Sequence, residues 1–148
     1  MSQPEYLPGY TKGVWLFNER YFFECHEILE LLWLESVGYE KTHYQTLIHG
    51  AVCFVHWENG NRKGVLSLYR TFRQKAESLP GAWFMGVHLA QLVADMSALV
   101  EPYRNDPDLP LTPFATLRTP RMEVQGFEPT PVDEAELLIL GRHEADES

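Results

Sequence analysis

The sequence predicts an all-α protein: a compact bundle of about five helices followed by an irregular, Pro-rich C-terminal extension. Three observations predict it. Apolar residues recur at helical spacing through a series of long stretches. Gly, Pro and Asn fall between those stretches rather than within them. From Pro102 onward, prolines come often enough to interrupt any regular element. With 148 residues, 45 % hydrophobic and 22 % charged, the chain can bury one core without disulfides or a structural metal.

Pro8-Gly9 reads as punctuation after a mobile start. Val14, Trp15 and Phe17 then predict a short helix that halts near Asn18. A second helix is expected from about Arg20 to Ser36. It lacks Gly and Pro and is apolar on nearly every side, as a helix surrounded by others would be, with Gly38 marking its end. Tyr44, Leu47, Ile48, Ala51, Val52 and Val55 place a third helix over about Lys41 to Glu58, stopped by Asn59-Gly60. Asn61 can cap a fourth helix carrying Val65, Leu68, Tyr69, Phe72, Ala76 and Leu79, which Pro80-Gly81 ends. A fifth is expected from near Trp83, with Leu89, Leu92, Val93, Met96 and Val100 on one face, until Pro102 stops it. Residues 1–101 thus read as the bundle and 102–148 as an appendage. Met122 to Val124 can pair as a strand, Asp133 can cap a short helix through Leu140, and a frayed end follows.

Composition narrows the function classes. The net charge of −9 disfavours generic binding to nucleic acid or anionic membranes. No stretch has the length of a membrane span, and Met1 to Tyr10 lacks a basic region leading into an apolar run, so a cytoplasmic location is expected. Cys25 and Cys53 are too few for a disulfide scaffold and suit a reducing compartment.

The chemistry concentrates on the second helix. At about 100° per residue, His26, Glu27 and Glu30 share an arc with Phe22, Phe23, Trp33 and Leu34, which predicts polar groups projecting into the bundle. Buried carboxylates need partners, and the third helix offers Gln45, His49, Cys53 and His56 along one side. Imidazole and carboxylate together suit zinc, iron or manganese. The expected ligands are His26, Glu30 and His56, with Glu27 or Glu30 as general base and Gln45, His49 and Asn61 lining the site. The competing expectation is a hydrogen-bond network that fixes helix register and does no chemistry.

Other patterns carry less. His-Glu-x-x-Glu is not the metalloprotease signature, because Glu30 stands where the second His belongs. Glu40-Lys41-Thr42-His43 reads as an accidental match to the di-iron pattern, and His88 and His143 stand alone. Cys25 and His26 are adjacent on a helix and point apart, which argues against a thiol nucleophile. Arg62, Lys63, Arg70, Arg73 and Lys75 make the fourth helix basic. That reads first as a solvated face, with an acidic partner or a phosphate as the alternative.

Phe17-Asn18, then Tyr21-Phe22-Phe23-Glu24-Cys25-His26-Glu27-Ile28-Leu29-Glu30 and Trp33, then Tyr44-Gln45-x-Leu47-Ile48, His56 and Gly60-Asn61-x-x-Gly64 form spaced blocks in a fixed order. In these blocks, over roughly residues 14–79, the chain resembles a small bacterial and archaeal family catalogued as domain of unknown function three-zero-nine. The resemblance implies a compact helical bundle and brings no activity, substrate or cofactor with it. It matches the family's polar signature at His26, Glu27, Glu30, Gln45, His56 and Asn61, and departs from it at Thr46 and His49. Two functions from different classes follow. One is a divalent-metal site supporting hydrolysis of a small, unidentified molecule. The other is a non-catalytic binding or assembly module, such as a homodimer, whose His/Glu cluster is structural.

Overall fold

Short turns join the first four helices, and a short turn between two long helices makes them antiparallel neighbours. The computed structural model describes residues 5–147, with side chains for residues 5–141. In order these form α1 (Pro8–Asn18), α2 (Phe22–Leu34), α3 (Gly38–Glu58), α4 (Arg62–Ser78), a hairpin of β1 (Trp83–Phe84) and β2 (Val87–His88), α5 (Leu89–Asn105), a 3-10 turn at Phe114–Thr116, and α6 (Glu134–Glu147). The long α3 is the axis. It packs against α2 on one side and α4 on the other, while α1 covers α2 and α5 covers α4. Among the described residues no helix is long and apolar enough to cross a membrane.

The α3–α4 turn shows how sequence dictates this geometry. Gly60 takes φ +68°, a left-handed conformation that costs glycine nothing. Its amide then donates to the Trp57 carbonyl and that of Asn61 to the His56 carbonyl, satisfying the last turn of α3. Asn61 also begins the next helix: its side-chain oxygen accepts from the Gly64 amide at 3.0 Å. The α1–α2 turn repeats the motif with Arg20 at φ 68° in the glycine position. Arg20 is held there by its own side chain, which donates to the Phe114 carbonyl at 2.5 Å and lies 4.3 Å above the Phe114 ring.

Several expectations need correction. Pro8 is the first residue of α1 rather than part of a loose lead-in, as its fixed φ and missing N–H permit. Gly38, φ +65°, opens α3 instead of closing α2. Residues 83–88 are a β-hairpin, so α5 starts at Leu89 and His88 ends a strand. Met85 and Gly86 both have positive φ, as a tight two-residue hairpin turn requires. Pro102 lies inside α5, which continues to Asn105 before ending. Finally, α2 is not enclosed on every side. Leu31 is 63 % and Leu34 62 % exposed, because α1, α3 and α6 leave one of its faces uncovered.

The Pro-rich segment threads back over the bundle. Asn18 pins Met122 through both of its backbone polar groups, Trp57 donates to the Thr112 carbonyl, and Arg62 donates to the carbonyls of Leu109, Tyr103 and Asp106. Val124 bridges to Val87 at the edge of the hairpin, and Leu117, Met122 and Val132 are buried in the common core. Asp133 caps α6 by accepting from the Glu136 amide, and the helix runs beyond Leu140 to Glu147.

The α3–α4 packing gives a test. A Cβ at Gly64 would lie 2.4 Å from the His56 ring, so Gly64→Ala should lower unfolding free energy in urea by about 1–3 kcal/mol. In a His56→Ala background the same change should be neutral or gain up to about 1 kcal/mol from helix propensity. Equal losses in both backgrounds would show that the His56–Gly64 approach is not the constraint.

Candidate functional site

His26, Glu27 and Glu30 come together because Glu30 lies four positions beyond His26 and three beyond Glu27, the spacings that make neighbours on the surface of α2. Each offers a ligand atom, and these atoms lie within 4.8 Å of one another. The cluster sits at the margin of the bundle instead of in its interior as expected. The side chains of His26, Glu27 and Glu30 are 23 %, 14 % and 50 % exposed, and the buried line of the helix runs through Phe22, Cys25, Ile28 and Leu29. The cost of burying a carboxylate is therefore largely avoided for Glu30, whereas Glu27 is mostly covered.

The hydrogen bonding of His26 orients the site. Its Nδ1 is 3.2 Å from the Phe23 carbonyl oxygen, which can only accept, so Nδ1 carries the hydrogen. In the neutral ring, Nε2 then presents a lone pair toward Glu30 Oε2 at 3.3 Å, with Glu27 Oε1 3.5 Å from Nδ1. A nitrogen lone pair facing a carboxylate oxygen is repulsive unless a positive charge stands between them. A proton on Nε2 supplies one; so does a metal ion bound by both atoms. A histidine that donates its other ring N–H to a backbone carbonyl is also the usual arrangement of a metal-ligating imidazole.

The remaining candidates lie elsewhere on the framework. His56 is fastened to the α3–α4 turn: the Asn61 side-chain amide donates to its Nδ1 at 3.2 Å, and Gly64 lies beneath its ring. Among the described residues no hydrogen bond joins it to His26 or Glu30. Asn61 serves as the cap of α4. His49 is half-buried, its Nδ1 has no hydrogen-bond partner among the described residues, and burial together with Lys75 lowers its pKa. Gln45 is partly buried on α3. Cys25 and Cys53 are free and buried. Burial raises the pKa of both thiols, that of Cys53 to about 12, so neither is a ready nucleophile. His88 stacks on Trp83 and pairs with Glu123, and His143 lies outside the described side chains.

One polar pair escaped the sequence reading. His43 is fully buried, with its Nε2 2.9 Å from the Tyr10 hydroxyl, which in turn donates to the Met85 carbonyl at 2.8 Å. The pair ties α1, α3 and the hairpin together, while His43 Nδ1 has no partner among the described residues. Desolvation pushes the His43 pKa down to about 3. The available signal was position: His43 borders the Tyr44, Leu47, Ala51 stripe, where an imidazole faces the core.

Residues 10–68 match the family model described as Domain of unknown function (DUF309), the family that the sequence blocks resemble. No curated protein and no solved structure matches the chain. The matched segment contains the α2 cluster, His43, His56 and Asn61.

His43 has a pH signature of fixed sign. Its pKa falls from 6.5 in the unfolded chain to about 3 in the fold. Between those values the unfolded state binds the extra proton, so this contribution to stability is complete above pH 6.5 and is lost as pH falls toward 3. Unfolding free energies measured across this range should fall about 1.4 kcal/mol per pH unit more steeply in the parent protein than in His43→Phe. Parallel curves would contradict a neutral, buried His43.

Proposed function

We propose, for a chain whose residues 10–68 match the model of this family of unknown function, that the α2 cluster is a divalent-metal site. His26 Nε2 and the carboxylates of Glu27 and Glu30 are the ligands. The observation that carries this reading is the approach of the His26 Nε2 lone pair to Glu30 Oε2, with Nδ1 already committed to the Phe23 carbonyl. One imidazole and two carboxylates suit zinc, manganese or ferrous iron. Ligands from a single helix cover only one side of an ion, which leaves positions open to water and to a small oxygen-bearing substrate. A divalent ion supplies Lewis acidity and a bound water of lowered pKa. Glu30, half exposed, is the better placed of the two carboxylates to accept a proton from solvent. The reaction class that fits is hydrolysis of a small polar molecule. His56 and Asn61 are left out of the ligand set because the α3–α4 turn engages them.

The competing reading also rests on an observation. His26 and Glu30 are four residues apart on α2, the spacing of an ordinary helix ion pair, and a proton on Nε2 would make the cluster a surface network worth about 0.3–0.5 kcal/mol. In that case the protein is a binding or assembly module, and its open α2 face, with Leu31 and Leu34, is the surface to examine for self-association.

Metal content and titration calorimetry separate the two readings. Protein purified without chelator, or titrated with zinc or manganese, should take up about one equivalent. His26→Ala and Glu30→Ala should lose about tenfold or more in affinity while keeping parent-like helicity, and His56→Ala should retain the ion. Failure to bind either ion would leave the helix-network reading standing.

A further inference from the structure

The basic residues of α4 take no part in the α2 site, and several cations of this chain are already committed. Lys12 pairs with Glu136, Arg20 with the Phe114 carbonyl and ring, Arg62 with three backbone carbonyls, and Arg73 with Glu77 and Glu101. Lys63 and Arg70 are different. Both are exposed, and neither makes an ion pair among the described residues, although the chain has 21 acidic groups to 12 lysines and arginines. Both line a groove of about 570 Å³ between α4 and α5, which also presents Leu66, Ser67, Tyr69 and Arg104.

Arg104 adds a third positive charge from the facing helix. Its one ion pair among the described residues, 3.4 Å to Glu101 Oε1, is shared with Arg73 and the Tyr69 hydroxyl, so most of its guanidinium donors remain available. The groove carries +3 on a protein of −9. A small anion within about 8–10 Å of these groups meets their local field, while a long polyanion also meets the acidic remainder. That favours a compact ligand over nucleic acid. Lys63 and Arg70 lie two helical turns apart, about 10 Å along α4, so one inorganic phosphate cannot reach both ends. Leu66 between them gives an apolar surface for the body of a larger molecule.

We propose that the α4–α5 groove binds a small organic phosphate bearing two adjacent phosphoryl groups, which Arg70 and Arg104 engage while the organic portion extends over Leu66 toward Lys63. Ser67 supplies a neutral hydroxyl on the exposed face of α4 midway along the groove. The volume is within the range of small-molecule sites, about 300–1,000 Å³. Charge-assisted contacts at an open site make the affinity modest and dependent on salt.

Titration calorimetry with ADP, in the absence of added metal, tests the site on the full chain. ADP should bind with sub-millimolar affinity at about 50 mM NaCl and weaken severalfold at about 300 mM. Inorganic phosphate should bind about tenfold more weakly than ADP. Arg70→Ala and Arg104→Ala should each lose about tenfold, whereas Arg118→Ala, an exposed arginine outside the groove, should match the parent. These are surface positions, and the variants should keep the parent's circular dichroism spectrum, which checks that they fold. The proposal is overturned by any of three results: no ADP binding up to about 10 mM, equal affinity for inorganic phosphate, or binding unchanged in Arg70→Ala and Arg104→Ala. An oligonucleotide that binds where ADP does not would also overturn it, and would assign the groove to nucleic acid.

Discussion

The arrangement depends on an aromatic knot at the base of α2. Phe22 lies 4.7 Å from Phe54 of α3, 5.1 Å from Phe17 of α1 and 6.0 Å from Phe114 of the extension, ring centre to ring centre. Phe17, Phe22 and Phe54 are essentially buried, and each such ring contributes about 1.5–3 kcal/mol by burial before any edge-to-face preference is added. One residue of α2 thus meets two other helices and the chain that returns over them. Because Phe22 faces inward, Cys25 and Leu29 must follow it, and His26, Glu27 and Glu30 are rotated to the margin. The position of the polar cluster is a consequence of where Phe22 is held.

That rotation explains what the sequence revealed and what it withheld. The second to fifth helices could be read from apolar spacing, and the α3–α4 turn from Asn59-Gly60-Asn61, because caps and left-handed turns are local and their residues signal them. The start of α5 could not be read this way. Trp83 to His88 is equally compatible with a first helical turn, and the hairpin is decided by its pairing with residues 123–125 of the extension, a distant contact. The extension itself reads as an appendage by composition. Its burial depends on Asn18, Trp57 and Arg62 waiting on the bundle with the polar groups that a proline-rich backbone needs.

The candidate site was legible in kind and less so in place. Its residue types and their clustering on α2 follow from helical periodicity. Whether the cluster faces inward or outward depends on which apolar residues win the core. Leu31 and Leu34 look as much like core residues as Leu29 does, yet they are exposed. His56 shares a side of α3 with His49 and Gln45, but the tight approach of Gly64 fixes its ring to α4. His43 is the converse case, a histidine set aside on pattern grounds that turns out to be fully buried and bound to Tyr10.

Nitrogen-15 NMR of the imidazole rings, followed through a zinc titration and assigned with His26→Ala, tests the central claim most directly. The account predicts a His26 ring that keeps its hydrogen on Nδ1, and an Nε2 resonance that moves to a metal-bound position ahead of those of the other histidines. A His26 Nε2 that stays unchanged, while zinc shifts another histidine or none, would contradict it.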